Sequence, residues 1–71
     1  MEERTISYGP LFKKLIDLKW TRKDLSEKVG LSRNTVAKMG KDEYVSLEVV
    51  VRVCNKIGCE ITDVIELKPK E

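Results

Sequence analysis

Histidine is missing altogether from this 71-residue chain. Its absence excludes Ser–His and Cys–His nucleophile pairs and any imidazole metal ligand. Cysteine occurs only as Cys54 and Cys59, so a four-thiolate zinc site is impossible within one chain. No secretory signal points to an oxidising compartment, and both thiols are read as reduced, packed apolar groups rather than redox sensors. Four glycines and two prolines are too few for flexible linkers. The longest apolar run is Val49-Val50-Val51, far short of the ~20 residues that cross a bilayer. The length leaves no second lobe around a catalytic cleft. Asp17, Asp24 and Glu27 fall on different faces and show neither paired-carboxylate nor metal-ligand spacing. An enzyme is therefore rejected, no metal or cofactor is expected, and the chain reads as a small cytoplasmic protein.

What is present is a foldable mixture, 41% hydrophobic and 37% charged, which argues against disorder. The net charge of +2 conceals an asymmetry. Residues 11–41 carry nine basic side chains (Lys13, Lys14, Lys19, Arg22, Lys23, Lys28, Arg33, Lys38 and Lys41) against three acids, a net +6. Residues 42–71 carry four bases against seven acids, a net −3. This bipolar distribution suits a phosphate-binding face, with an ordinary lysine-rich surface as the competing reading.

The periodicity is helical. After an alternating segment, Thr5-Ile6-Ser7-Tyr8, that suits a short strand or arm, Pro10 fits a first helical turn. Leu11, Phe12, Leu15, Ile16 and Leu18 form an apolar stripe to about residue 19. Thr21 with Asp24 three residues on is a capping signal, Leu25 and Val29 recur at i, i+4, and Gly30 is a stop. Ser32 caps a third helix with Val36 and Met39 inward, closed by Gly40. Ser46 opens a fourth with Leu47, Val50, Val51, Cys54 and Ile57, stopped by Gly58. Thr62 is expected to cap a short fifth helix containing Val64, Ile65 and Leu67. The fold class is therefore all-α with five helices, a single domain over residues 1–71, with its core at about 8–67 and ends expected to fray.

Residues 22–41 meet the constraints of two helices joined by a tight Gly-containing turn. Ser26 is small enough for a close helix crossing, Gly30 tolerates positive φ, and Leu25, Val29, Leu31, Val36 and Met39 supply a shared core. Arg33, Asn34, Thr35 and Lys38 then lie on the exposed face of the second helix, with Ser32 at its start. The segment Thr21-Arg22-Lys23-Asp24-Leu25-Ser26-Glu27-Lys28-Val29-Gly30-Leu31-Ser32-Arg33-Asn34-Thr35-Val36 resembles the Cro/C1-type (lambda-repressor-like, XRE) helix-turn-helix family. The likeness continues through Val45-Ser46-Leu47-Glu48 and residues 54–64. Where the family usually has Gln and Ala, this chain has Arg22 and Ser26. Arg22 still reaches a phosphate but accepts no hydrogen bond, and the Ser26 hydroxyl needs a partner.

The resemblance implies a compact lambda-repressor-like domain, bacterial or phage, that regulates transcription by binding double-stranded DNA. Residues 32–39 are then the recognition helix, in the major groove. Arg33 suits guanine O6 and N7, Asn34 suits adenine N6 and N7, and Lys38 reaches a base or a phosphate. Ser32 and Thr35 suit phosphate oxygens, with Arg22, Lys23 and Lys41 on the flanking backbone. Lys13, Lys14, Lys19 and Lys28 are read as solvated surface. One small domain implies a homodimer on a palindromic operator with half-sites about 34 Å apart. The dimer candidates are the surroundings of Val53, Ile61 and Leu67, or the arm of residues 5–8. The alternative is an antitoxin-like protein-interaction module with a small protein partner, in which DNA binding is secondary.

Overall fold

The computed structural model describes residues 3–70. Its element order is β1 (Arg4–Ser7), α1 (Gly9–Leu18), α2 (Arg22–Val29), α3 (Arg33–Gly40), α4 (Leu47–Ile57), a single 3₁₀ turn (Ile61–Asp63) and β2 (Glu66–Pro69). Local chemistry explains the helix boundaries. The Gly9 N–H at the start of α1 donates to Ser7 Oγ (3.2 Å). Thr21 and Asp24 complete a reciprocal capping box at α2, at 3.1 and 2.8 Å, satisfying two backbone donors that the helix cannot. Ser32 caps α3 by accepting from the Thr35 N–H (3.1 Å), and Ser46 caps α4 through the Val49 N–H (3.3 Å). Gly30 and Gly58 end α2 and α4 in the left-handed region, at φ 82° and 79°, where a Cβ would be strained. Lys19 ends α1 in the same region (φ 59°) without being glycine.

The expected fifth helix is absent. The stretch after Gly58 makes one 3₁₀ turn that sinks Val64 fully into the core. The chain then runs antiparallel to β1, pairing Thr5 with Lys68 and Ile6 with Leu67. Six residues are too few for a stable helix, and the β-branched Val64 and Ile65 lower helix propensity further. Pairing with β1 satisfies the backbone instead, and Pro69 is tolerated because a two-stranded sheet is all edge. The domain is thus four helices with a small sheet, and residues 4, 68 and 69, expected to fray, belong to that sheet.

The core joins Tyr8, Leu11, Leu15, Leu25, Leu31, Val36, Met39, Val50, Val53 and Val64. Tyr8 anchors it. Its ring is fully buried, its hydroxyl donates to the Glu43 carbonyl (2.7 Å), and its N–H donates to Asp42 Oδ1 (3.0 Å). Asp42 Oδ2 also meets Lys68 Nζ at 2.6 Å, so one carboxylate ties the α3–α4 loop to the start of α1 and to β2. Two apolar stripes are rotated from expectation. In α4 Val50 and Val53 point inward while Leu47 and Val51 are exposed, and in α1 Ile16 is three-quarters exposed. With Val49, Val50, Val51 and Val53 all apolar, spacing alone did not choose the inward face of α4.

Candidate nucleic-acid interface

Helices α2 and α3 pack through Leu25, Leu31, Val36 and Met39, all buried, with Val29 packed against them. The turn between them is tied to α2 by Ser26, whose hydroxyl donates to the Leu31 carbonyl (2.6 Å). The alanine found at this position in the resembling family would leave that carbonyl without this bond. Between the two helices lies an open groove of about 300 Å³ lined by Arg22, Lys23, Ser26, Glu27, Arg33, Val36 and Ala37.

Three of the expected contact residues, Arg22, Lys23 and Arg33, meet in this groove. Asn34, Lys38 and Lys41 are exposed along α3 and its C-terminal cap, outside the groove lining. Among the described residues Arg33, Lys38 and Lys41 enter no ion pair. Lys23 differs: its ammonium lies 4.0 Å from Glu27 one helical turn on, with both side chains exposed. Such a pair is worth little and is readily exchanged for another anion. Ser32 and Thr35 share a hydrogen bond between their hydroxyls (2.8 Å) while the Ser32 oxygen also caps the helix. Only one of the two hydroxyl protons is used between them, so one donor stays available for an external oxygen. Beside it, the first N–H groups of α3 and the helix dipole favour an anion.

Three residues that border the site were not legible as such. Phe12 of α1 lies under the Arg22 guanidinium, with Cζ 5.0 Å from the ring centroid. Gly40 stands against the same guanidinium. Glu27 puts a negative charge into the groove wall. Phe12 precedes Arg22 by ten residues on another helix, and no local pattern links them. Trp20 is half-buried, with the Lys28 ammonium 5.6 Å from its ring centroid.

A family model for the Cro/C1-type HTH DNA-binding domain matches residues 11–70 of the chain. The chain belongs to the Cro/C1-type helix-turn-helix family. The fold is similar to the crystal structure of the transcriptional regulator VanUg, with a TM-score of 0.92 and 40% sequence identity, covering 99% of this chain and 93% of that one. No curated protein matches significantly. This Cro/C1-type domain therefore has the fold and family of a DNA-binding transcriptional regulator, with α2 and α3 as its helix-turn-helix. Among the described residues no helix is long and apolar enough to cross a membrane, and no cluster of three or more Cys, Asp or Glu stands ready to hold a metal ion. Cys54 and Cys59 are free and half-buried; burial, followed by the neighbouring Cys59 thiol, pushes the Cys54 thiol above its ordinary value.

Proposed function

We propose that this Cro/C1-type domain is a sequence-specific regulator that lays α3 in the major groove of double-stranded DNA. The observation that carries the reading is the exposed polar face of α3, with Arg33 and Asn34 in its first turn and Lys38 one turn on, where neither cation enters an ion pair among the described residues. Arg33 reads a guanine edge and Asn34 an adenine edge, while Lys38 serves a base or the backbone. Thr35, Ser32 and the N-terminal amides of α3 take one phosphate, and Arg22, Lys23 and Lys41 take its neighbours.

The same reading calls for two copies on a palindromic operator, with half-sites about 34 Å apart. Within the expected dimer candidates, Val53 and Tyr8 themselves are fully buried and offer no contact surface. Ile61 and Leu67 are exposed and border a largely apolar hollow of about 280 Å³ with Ile6, Tyr44 and Ile65. This hollow is the surface we assign to the second copy. It also favours the second reading, an antitoxin-like module whose small protein partner occupies it.

An amide NMR titration with a random-sequence duplex, at low and then higher salt, tests the reading without a known operator. Shifts confined to residue 22, residues 32–38 and residues 40–41, fading as salt rises, support it. If those amides stay still in the folded domain while the amides around Ile61 and Leu67 respond to a protein partner, the interaction module takes its place.

A further inference from the structure

Gly40 is the last residue of α3, and its φ lies outside the left-handed region that Gly30 and Gly58 occupy. Its backbone therefore does not require glycine, and glycine weakens a helix relative to alanine. What glycine does leave is room for the Arg22 guanidinium. A Cβ at residue 40 would lie 2.7 Å from Nη1, 3.1 Å from Cζ and 3.3 Å from Nη2 of Arg22. On another side the guanidinium has the half-buried Phe12 ring, 5.0 Å from its carbon. Arg22, in the first turn of α2, thus rests against α1 and α3 at once, and it forms no ion pair among the described residues.

We propose that Phe12 and Gly40 are positioning residues that hold the Arg22 guanidinium ready for one DNA backbone phosphate at the rim of the α2–α3 groove. An aromatic ring attracts the cation without consuming its N–H groups, which leaves in-plane donors for a bidentate phosphate contact. A side chain already held in place loses less freedom on binding. This explains how arginine serves at a position where the family usually has glutamine. The inference rests on the reading of α2 and α3 as the DNA face.

The test is fluorescence anisotropy of the full chain with a labelled random-sequence duplex between 50 and 200 mM salt, with a thermal melt for every variant. Arg22→Ala is expected to lower the slope of log K against log salt by about 0.9, one phosphate's worth. The wild type then loses about 3.5-fold more affinity than the variant over that fourfold salt range. Gly40→Ala is expected to reproduce the Arg22→Ala slope while melting at the same or a higher temperature. The double variant should match Arg22→Ala alone. Phe12→Leu, which keeps apolar volume but removes the ring, should shift the slope in the same direction. Wild-type slopes in Gly40→Ala or in Phe12→Leu overturn the positioning role, as does an additive double variant. An unchanged slope in Arg22→Ala removes the phosphate contact itself. A wild type that does not bind the duplex at all refutes instead the DNA reading beneath it.

Discussion

The Tyr8 hydroxyl offers a sharp test of how the fold is held, because a single atom joins residues far apart in the chain. Tyr8→Phe removes the donor to the Glu43 carbonyl, a 2.7 Å bond spanning 35 residues, and leaves the fully buried ring in place. An intramolecular hydrogen bond contributes about 1 kcal/mol net, and an acceptor stranded in the interior costs about 1–3 kcal/mol. This bond is only partly buried, so water can reach the abandoned carbonyl and the lower end applies, about 1–1.5 kcal/mol. For a domain of this size each kcal/mol moves Tm by about 4–8 °C, so the melt should fall by roughly 5–10 °C. Circular dichroism melts, with urea titrations to check that m is unchanged, measure it directly. Hydrogen exchange should quicken most in residues 42–45, which lose their tether. A Tm within about 2 °C of wild type at unchanged m would show that the hydroxyl is merely accommodated. Burial raises the Tyr8 phenol above its ordinary value, so the bond persists through the neutral and mildly alkaline range and the measurement is free of that titration.

Asp42 gives a pH prediction. The Lys68 ammonium and then the Tyr8 N–H hold its carboxyl below the usual range, so its stabilisation is fully present above the unfolded value of about 3.9 and disappears as pH falls through the lower folded value. Asp42→Asn should flatten acid unfolding in that window; an unchanged acid limb would refute the tether. Lys19→Gly should raise stability by about 1 kcal/mol, because the left-handed turn at φ 59° strains any side chain there; a lower Tm would contradict this. Arg33→Ala should cost about 1–3 kcal/mol at one base pair and relax the preference there, a reading that an unaltered selected consensus would sink. Lys41→Ala should weaken binding to all sequences alike, and a loss confined to one sequence would argue against a phosphate contact.

Sequence by itself determined the features governed by short-range rules. The capping pairs Thr21–Asp24 and Ser32–Thr35, the Gly30 and Gly58 stops, and the shared α2–α3 core were all legible. Each depends on residues within one or two turns of each other, where backbone geometry leaves few choices. The family followed from the same local pattern. Tertiary structure alone decided what depends on distant partners. Residues 64–67 became a buried turn and a strand because β1 was there to pair with them, outweighing a weak local preference for helix. Tyr8, read as part of an exposed arm, became the centre of the core because the loop at Asp42 and Glu43 came to meet it. Val53 turned inward and Leu47 outward because the packed face of α4 is chosen by its neighbours, and a helix apolar on several sides presents no single stripe. Gly40, legible as a helix stop, also borders the Arg22 guanidinium, which lies where its side chain would be. That contact brings together residues 12, 22 and 40 from three helices, and no spacing in a linear chain encodes it.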